Sequence, residues 1–191
     1  YRWFEHVCAS VDIGVWLFDT GYSGVSLPDG LIVRLAGIEN VCGIKVGRPH
    51  ARYLELLDLV GDTMLVCSPH EETWLENMRD HGQRVYMSSA APYLYQTPGW
   101  QPVREYTALA LRGDIARAEE AAATLRPVRE VAGRWLQGKP RQIDNIASIK
   151  AWAGLVGMSG GAVRSPLLSH TPAELDELAA DLASAGLLPA R

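Results

Sequence analysis

The chain has 191 residues, 48% of them hydrophobic and 21% charged, with a formal net charge of −4. This is globular composition, with length enough for one large domain or one and a half ordinary ones around a sizeable core. An acidic balance without a basic cluster removes the electrostatic basis for binding nucleic acid or an anionic membrane, and no apolar run reaches the ~18 residues of a membrane helix. Cys8, Cys42 and Cys67 are odd in number and widely spaced in apolar contexts, so they read as reduced thiols, and no metal is assigned to any residue. No signal peptide is visible. The expectation is a soluble, cytoplasmic protein with small-molecule or protein partners.

In chain order, the sequence opens without an initiator Met and already carries amphipathic helical spacing over residues 3–11. Gly14 to Phe18 is a continuous apolar run of strand length, followed by a glycine-rich loop at 19–24 and a helix starting at Leu27-Pro28-Asp29 with Leu31, Ile32 and Leu35 on one stripe. The unit repeats with a strand at Val41–Lys45 and a helix over Arg48–Leu59. It repeats again with a strand at Thr63–Cys67, a polar loop at 68–72 and a short helix over Thr73–Arg79, and a fourth strand is expected at Val85–Met87. Continuous apolar strands alternating with helices indicate a parallel sheet, either doubly wound or half of a (β/α)8 barrel. In both, ligands bind beyond the carboxyl ends of the strands, which places the loops after Phe18, Lys45, Cys67 and Met87 on one face.

After residue 92 the pattern is helical only. A helix over Val103–Leu111 ends at Gly113, and Asp114 caps a long helix running through Leu125 and Val128 to Trp135. Gly138-Lys139-Pro140 breaks it, and another helix covers Ile143–Val156. The last helix has Thr171 as N-cap, Pro172 at its first position, Glu174 closing a capping box and Gly186 at its exit. These features divide the chain into residues 1–113, built around the parallel sheet, and residues 114–191, a three-helix subdomain.

Lys45 organises this reading. Of 18 basic residues only Lys45, Lys139 and Lys150 are lysines, so where charge alone is needed the chain uses Arg. A lysine within the strand-forming run Val41-Cys42-Gly43-Ile44-Lys45-Val46-Gly47 either snorkels to solvent or pairs with a carboxylate, or it serves amine chemistry.

Gly43-Ile44-Lys45 resembles the Gly-Ile/Phe-Lys motif of the dihydrodipicolinate synthase and N-acetylneuraminate lyase family, in which the lysine on the sixth barrel strand forms a Schiff base. The segment Val66-Cys67-Ser68-Pro69-His70-Glu71 is similar to the family's seventh-strand loop, Arg84–Ser89 to its eighth strand, and Ile149-Lys150-Ala151 through Pro166-Leu167 to the segment before its last helix. The resemblance covers essentially the whole chain, as the C-terminal part of a longer family member. It implies the C-terminal half of a (β/α)8 TIM barrel followed by a helical subdomain. The implied function is a lyase that forms an imine between Lys45 and a 2-oxo acid such as pyruvate or a keto-deoxy sugar acid, then runs aldol cleavage, condensation or dehydration. It implies no cofactor beyond that covalent imine, and a homo-oligomer, tetramer or dimer.

The departures qualify this. Phe18, 27 residues before Lys45, stands where the family carries a catalytic tyrosine, and it cannot relay a proton. Tyr22, His70 and Tyr86 are alternative donors or substrate contacts, Asp19 could hydrogen-bond the substrate's hydroxyls, and Ser68 lies in the seventh-strand loop. Val46 and Pro69 also differ from the commoner acidic residue and glycine, which suggests a reshaped pocket. A barrel takes roughly 250 residues, so the first four strands and the family's carboxylate-binding Thr-Thr motif are expected upstream or on a separate chain. A second reading is a catalytically impaired homologue kept as a ligand-binding or assembly subunit.

Overall fold

The strand and helix alternation of the first 80 residues builds a three-stranded parallel sheet in the order β1-β2-β3, with β1 at Val15–Thr20, β2 at Val41–Gly47 and β3 at Leu65–Cys67. The computed structural model describes residues 1–88, 90–137 and 145–189. Helix α1 (Arg2–Ala9) precedes the sheet, α2 (Asp29–Ala36) joins β1 to β2, and α3 (His50–Val60) joins β2 to β3. Because side chains alternate along a strand, Leu17, Ile44, Val46 and Val66 all point to one side. There they are buried with Ile32 and Leu35 of α2 and Tyr53 and Leu56 of α3. Burying each such side chain contributes roughly 1.5–3 kcal/mol, and this packing holds the sheet against its helices.

The opposite face carries Trp16, Phe18, Gly43, Lys45, Leu65 and Cys67. In this chain it is partly open, with Phe18 51% and Leu65 52% exposed. The 3-10 turn at Glu71–Thr73 leads into α4 (Trp74–Asp80). The fourth expected strand is absent from the sheet, since residues 82–88 run without ladder pairing. The hydrogen bonds such a strand would give to the end of β3 come from the Gln83 side chain instead. The Ser68 N–H donates to Gln83 Oε1 at 3.1 Å, and Gln83 Nε2 donates to the Ser68 carbonyl at 3.0 Å.

The contacts divide the chain into two units, Tyr1–Ser89 and Ala90–Arg191. The expected boundary at 113/114 falls inside the second unit, because α6 (Pro102–Leu111) packs on α7 (Ile115–Ala123) across the Gly113 turn, where φ is +82°. A short α5 (Ala91–Leu94) precedes them.

The long helix expected from Asp114 to Trp135 is broken into α7, α8 (Arg126–Ala132) and a π-helical turn at Gly133–Gln137. Pro127 has no N–H to continue the ladder from α7. Asp114 occupies the N-cap position without a capping bond, its carboxylate facing Arg117 at 3.4 Å. The break expected at 138–140 lies outside the described residues, and α9 covers Asn145–Leu155. The last helix, α10 (Pro172–Ser184), carries the full capping box read from the sequence, with Gly186 at φ +77° after its end. Trp152 is fully buried and donates to the Leu94 carbonyl at 2.8 Å, while Trp135 Nε1 donates to Asp181 at 2.7 Å. Among the described residues no helix is long and apolar enough to cross a membrane.

Tyr53 is a polar group enclosed by this packing. It is fully buried, and its hydroxyl has no hydrogen-bond partner among the described residues. Burial, and then the neighbouring Cys67, push its phenol up to about 12. The folded value lies above the ~10 of an unfolded tyrosine, so the folded state favours the neutral phenol. That contribution is present below pH ~10 and is lost as pH rises towards about 12. Urea unfolding across this window should show a loss of up to about 2–3 kcal/mol that Tyr53→Phe abolishes. At pH 7 the same variant should cost no more than about 0.5 kcal/mol, because it removes an unpartnered polar atom.

Candidate active site

Parallel register aligns Phe18 of β1 with Lys45 of β2, and Lys45 with Cys67 of β3. The three residues form one row across the sheet on its open face, at the carboxyl ends of the strands. On β2 that face consists of Gly43, Lys45 and Gly47, so Lys45 is the one side chain that rises from it. The glycines have a steric reason, because rings from β1 lean over this strand. A methyl group at Gly43 would lie 2.6 Å from the Trp16 indole, and one at Gly47 would lie 3.1 Å from the Phe18 ring.

Lys45 is half-buried, less than the apolar strand pattern suggested, because it stands on the open face. Its Nζ lies 4.7 Å from the centroid of the Phe18 ring, a cation–π contact. Among the described residues no carboxylate forms an ion pair with it. Cys67, fully buried beside it, has its thiol pushed up by burial. A backbone hydrogen bond from Met87 and the charge of Lys45 offset this only in part. The amine therefore has aromatic and thiol neighbours and no counter-ion among the described residues. No group of three potential metal ligands among the described residues includes a member of this row.

The other sequence-selected residues divide clearly. Asp19 points to the opposite side of β1 from Phe18, is 1% exposed, and pairs with Arg48 at 2.9 Å. Ser26 adds a long 3.5 Å hydrogen bond, so this carboxylate is committed to structure. Tyr22 is 89% exposed on the 3-10 turn at Gly21–Ser23. Ser68 is buried, and its hydroxyl accepts from the His70 N–H at 3.4 Å. His70 is exposed, and its Nε2 donates to the Arg48 carbonyl at 3.2 Å. Tyr86 stacks on Trp74 with centroids 4.7 Å apart. Phe18 thus meets Lys45, and Ser68 meets His70. Among the described residues none of Asp19, Tyr22, Ser68, His70 or Tyr86 hydrogen-bonds the amine.

Sequence reasoning missed Arg48 and Gln83, which hold the loops after β1 and β3. Arg48 follows the lysine strand directly and sits one residue after Gly47, a position that could have drawn attention. Nothing in the sequence pattern marks Gln83.

The sequence profile described as the dihydrodipicolinate synthetase family matches residues 1–185. The chain is 29% identical over 191 residues to a 4-hydroxy-tetrahydrodipicolinate synthase of Corynebacterium urealyticum, covering 98% of this chain and 58% of that protein. It is 26% identical over 180 residues to a probable 5-dehydro-4-deoxyglucarate dehydratase of Delftia acidovorans, covering 92% of this chain and 55% of that one. In fold it is similar to dihydrodipicolinate synthase from Aquifex aeolicus, with a TM-score of 0.73 at 23% identity, covering 98% of this chain and 60% of the other. It is also similar to KD(P)GA from T. tenax, with a TM-score of 0.72 at 20% identity, covering 97% and 60%. The chain therefore spans 55–60% of the length of these relatives. The fold class read from the sequence, the second half of a (β/α)8 barrel followed by helices, stands, with three of the four expected strands paired.

Arg48→Met leaves the Asp19 carboxylate buried and unpaired. It should destabilise the protein by about 3 kcal/mol in urea unfolding, because removing one partner of a buried pair strands the other charge.

Proposed function

The chain belongs to the dihydrodipicolinate synthetase family, and on that premise we propose that it carries the nucleophile of a class I lyase acting on a 2-oxo acid. The observation that supports this reading is the amine of Lys45, standing alone between two glycines on the open face of the sheet with no carboxylate partner among the described residues. In the proposed reaction the neutral amine of Lys45 attacks the ketone carbon of the substrate, the resulting carbinolamine loses water, and a protonated imine forms. That imine accepts the electron pair of the bond broken at the neighbouring carbon, giving an enamine, and the reverse flow makes a bond there. Pyruvate and keto-deoxy sugar acids are the substrate class. Borohydride reduction of the full-length protein with pyruvate should add the reduced pyruvyl group to Lys45, as read by peptide mass spectrometry. Absence of the adduct, or its persistence in Lys45→Ala, would overturn the reading.

Phe18 favours a second reading, a ligand-binding homologue with impaired turnover. Its ring lies beside the amine and offers no hydroxyl to move a proton. Under that reading a 2-oxo acid raises the melting temperature without turnover, whereas robust lyase activity excludes it. Phe18→Tyr places a hydroxyl beside the amine and should raise kcat by about 10²-fold if proton transfer is what the site lacks. An unchanged kcat would show that another group already moves the proton.

A further inference from the structure

The Gln83 amide that closes the end of β3 also begins a chain of forced hydrogen bonds. Its orientation is set by Ser68, whose N–H donates to Oε1 and whose carbonyl accepts from Nε2. Oε1 can only accept, so the Asn77 atom 3.1 Å from it is Nδ2, which also lies 3.3 Å from Thr73 Oγ1. The remaining polar atom of this fully buried Asn77 is Oδ1, an acceptor, and it lies 2.8 Å from His50 Nε2. His50 Nε2 therefore carries a proton, and in the neutral ring Nδ1 presents a free lone pair.

That ring sits on a platform shared with a second imidazole. His50 stacks on Tyr53 with centroids 5.6 Å apart, His81 meets the edge of the same Tyr53 ring, and the two imidazoles are 6.2 Å apart. The His81 backbone N–H donates to the Asn77 carbonyl at 3.1 Å, so Asn77 holds both histidines. Glu76, exposed on α4, completes the group: one ligand atom from each of His50, Glu76 and His81 lies within 4.8 Å of the others.

We propose that His50, Glu76 and His81 form a binding site for a divalent transition-metal ion of the zinc class, separate from Lys45 and its row. Two imidazoles and a carboxylate suit zinc, cobalt or nickel and not magnesium or calcium, which take all-oxygen shells. Bonds of ~2.1 Å put ligand atoms about 3.4 Å apart, so the group must close by at most about 1.4 Å. The exposed Glu76 side chain is free to rotate its carboxylate towards the two imidazoles. The Nε2–H of His50 donating to an amide oxygen is the outer-shell contact that fixes a metal-binding imidazole. Three protein ligands leave a fourth position for water. The bound ion would clamp α3 to the turn after α4 and, through Asn77 and Gln83, brace the Ser68 loop.

The test is calorimetric titration of chelator-treated full-length protein with Zn²⁺, and with Mg²⁺ as the contrast. The expected result is one zinc per chain, no magnesium uptake, and a zinc-dependent rise in melting temperature. Glu76→Gln and His81→Gln should each weaken zinc binding at least about tenfold, with circular dichroism unchanged. Cys42→Ser, which removes the exposed thiol, should leave it intact. No zinc uptake overturns the proposal, as does binding that survives the Glu76→Gln/His81→Gln double variant or disappears in Cys42→Ser.

Discussion

Parallel pairing with a two-residue side-chain period is the constraint on which the first unit depends. Once β2 is in register between β1 and β3, Ile44 and Val46 must face the helices and Lys45 must face the other way. A slip of one residue would bury the ammonium against Tyr53 and Leu56 and expose two β-branched residues. The apolar packing on the helix side therefore determines where the amine emerges. The glycines at 43 and 47 follow from the same geometry, since Trp16 and Phe18 occupy the space their side chains would need.

The same alternation separates structural from chemical charge at the carboxyl ends of the strands. Phe18 and Asp19 are adjacent in sequence but face opposite sides of β1. Asp19 pairs with Arg48, buried and hydrogen-bonded, and so steadies the turn after β1. Lys45 sits on the other face without a carboxylate among the described residues. A carboxylate on that face would pair with Lys45 and hold it as the ammonium, whereas the nearby acid, Asp19, faces the other way and pairs with the arginine.

What the sequence made legible was periodic or locally capped. The first three strands with their helices, the position of Lys45 and the Thr171–Glu174 capping box depend on neighbours within a few residues, and each appears where the pattern placed it. The fourth strand and the long helix after Asp114 were misread because competing contacts decide them. At Val85–Met87 a run of strand-forming residues loses its ladder place to a side-chain amide, and after Asp114 one proline outweighs a run of alanines. The candidate site is legible in its lysine and in Phe18 beside it. Asp19, Tyr22 and Tyr86 were plausible by residue type, but their directions depend on Arg48, on exposure and on Trp74, none of which a one-dimensional pattern encodes.

Gln83 shows how a single side chain can link otherwise separate features. By substituting for a strand it satisfies the backbone of Ser68, which the short β3 would leave unpaired and buried. In doing so it orients Asn77, and Asn77 orients His50. The amides have no freedom to flip, because each reversal would set donor against donor or acceptor against acceptor in a buried place, at a cost of about 1–3 kcal/mol per lost partner. The tautomer of a histidine at the start of α3 is thus determined by how the sheet ends at β3. A perturbation at either place must be transmitted through two amides whose alternatives are both disfavoured, which couples the Ser68 loop near Lys45 to the helices behind it.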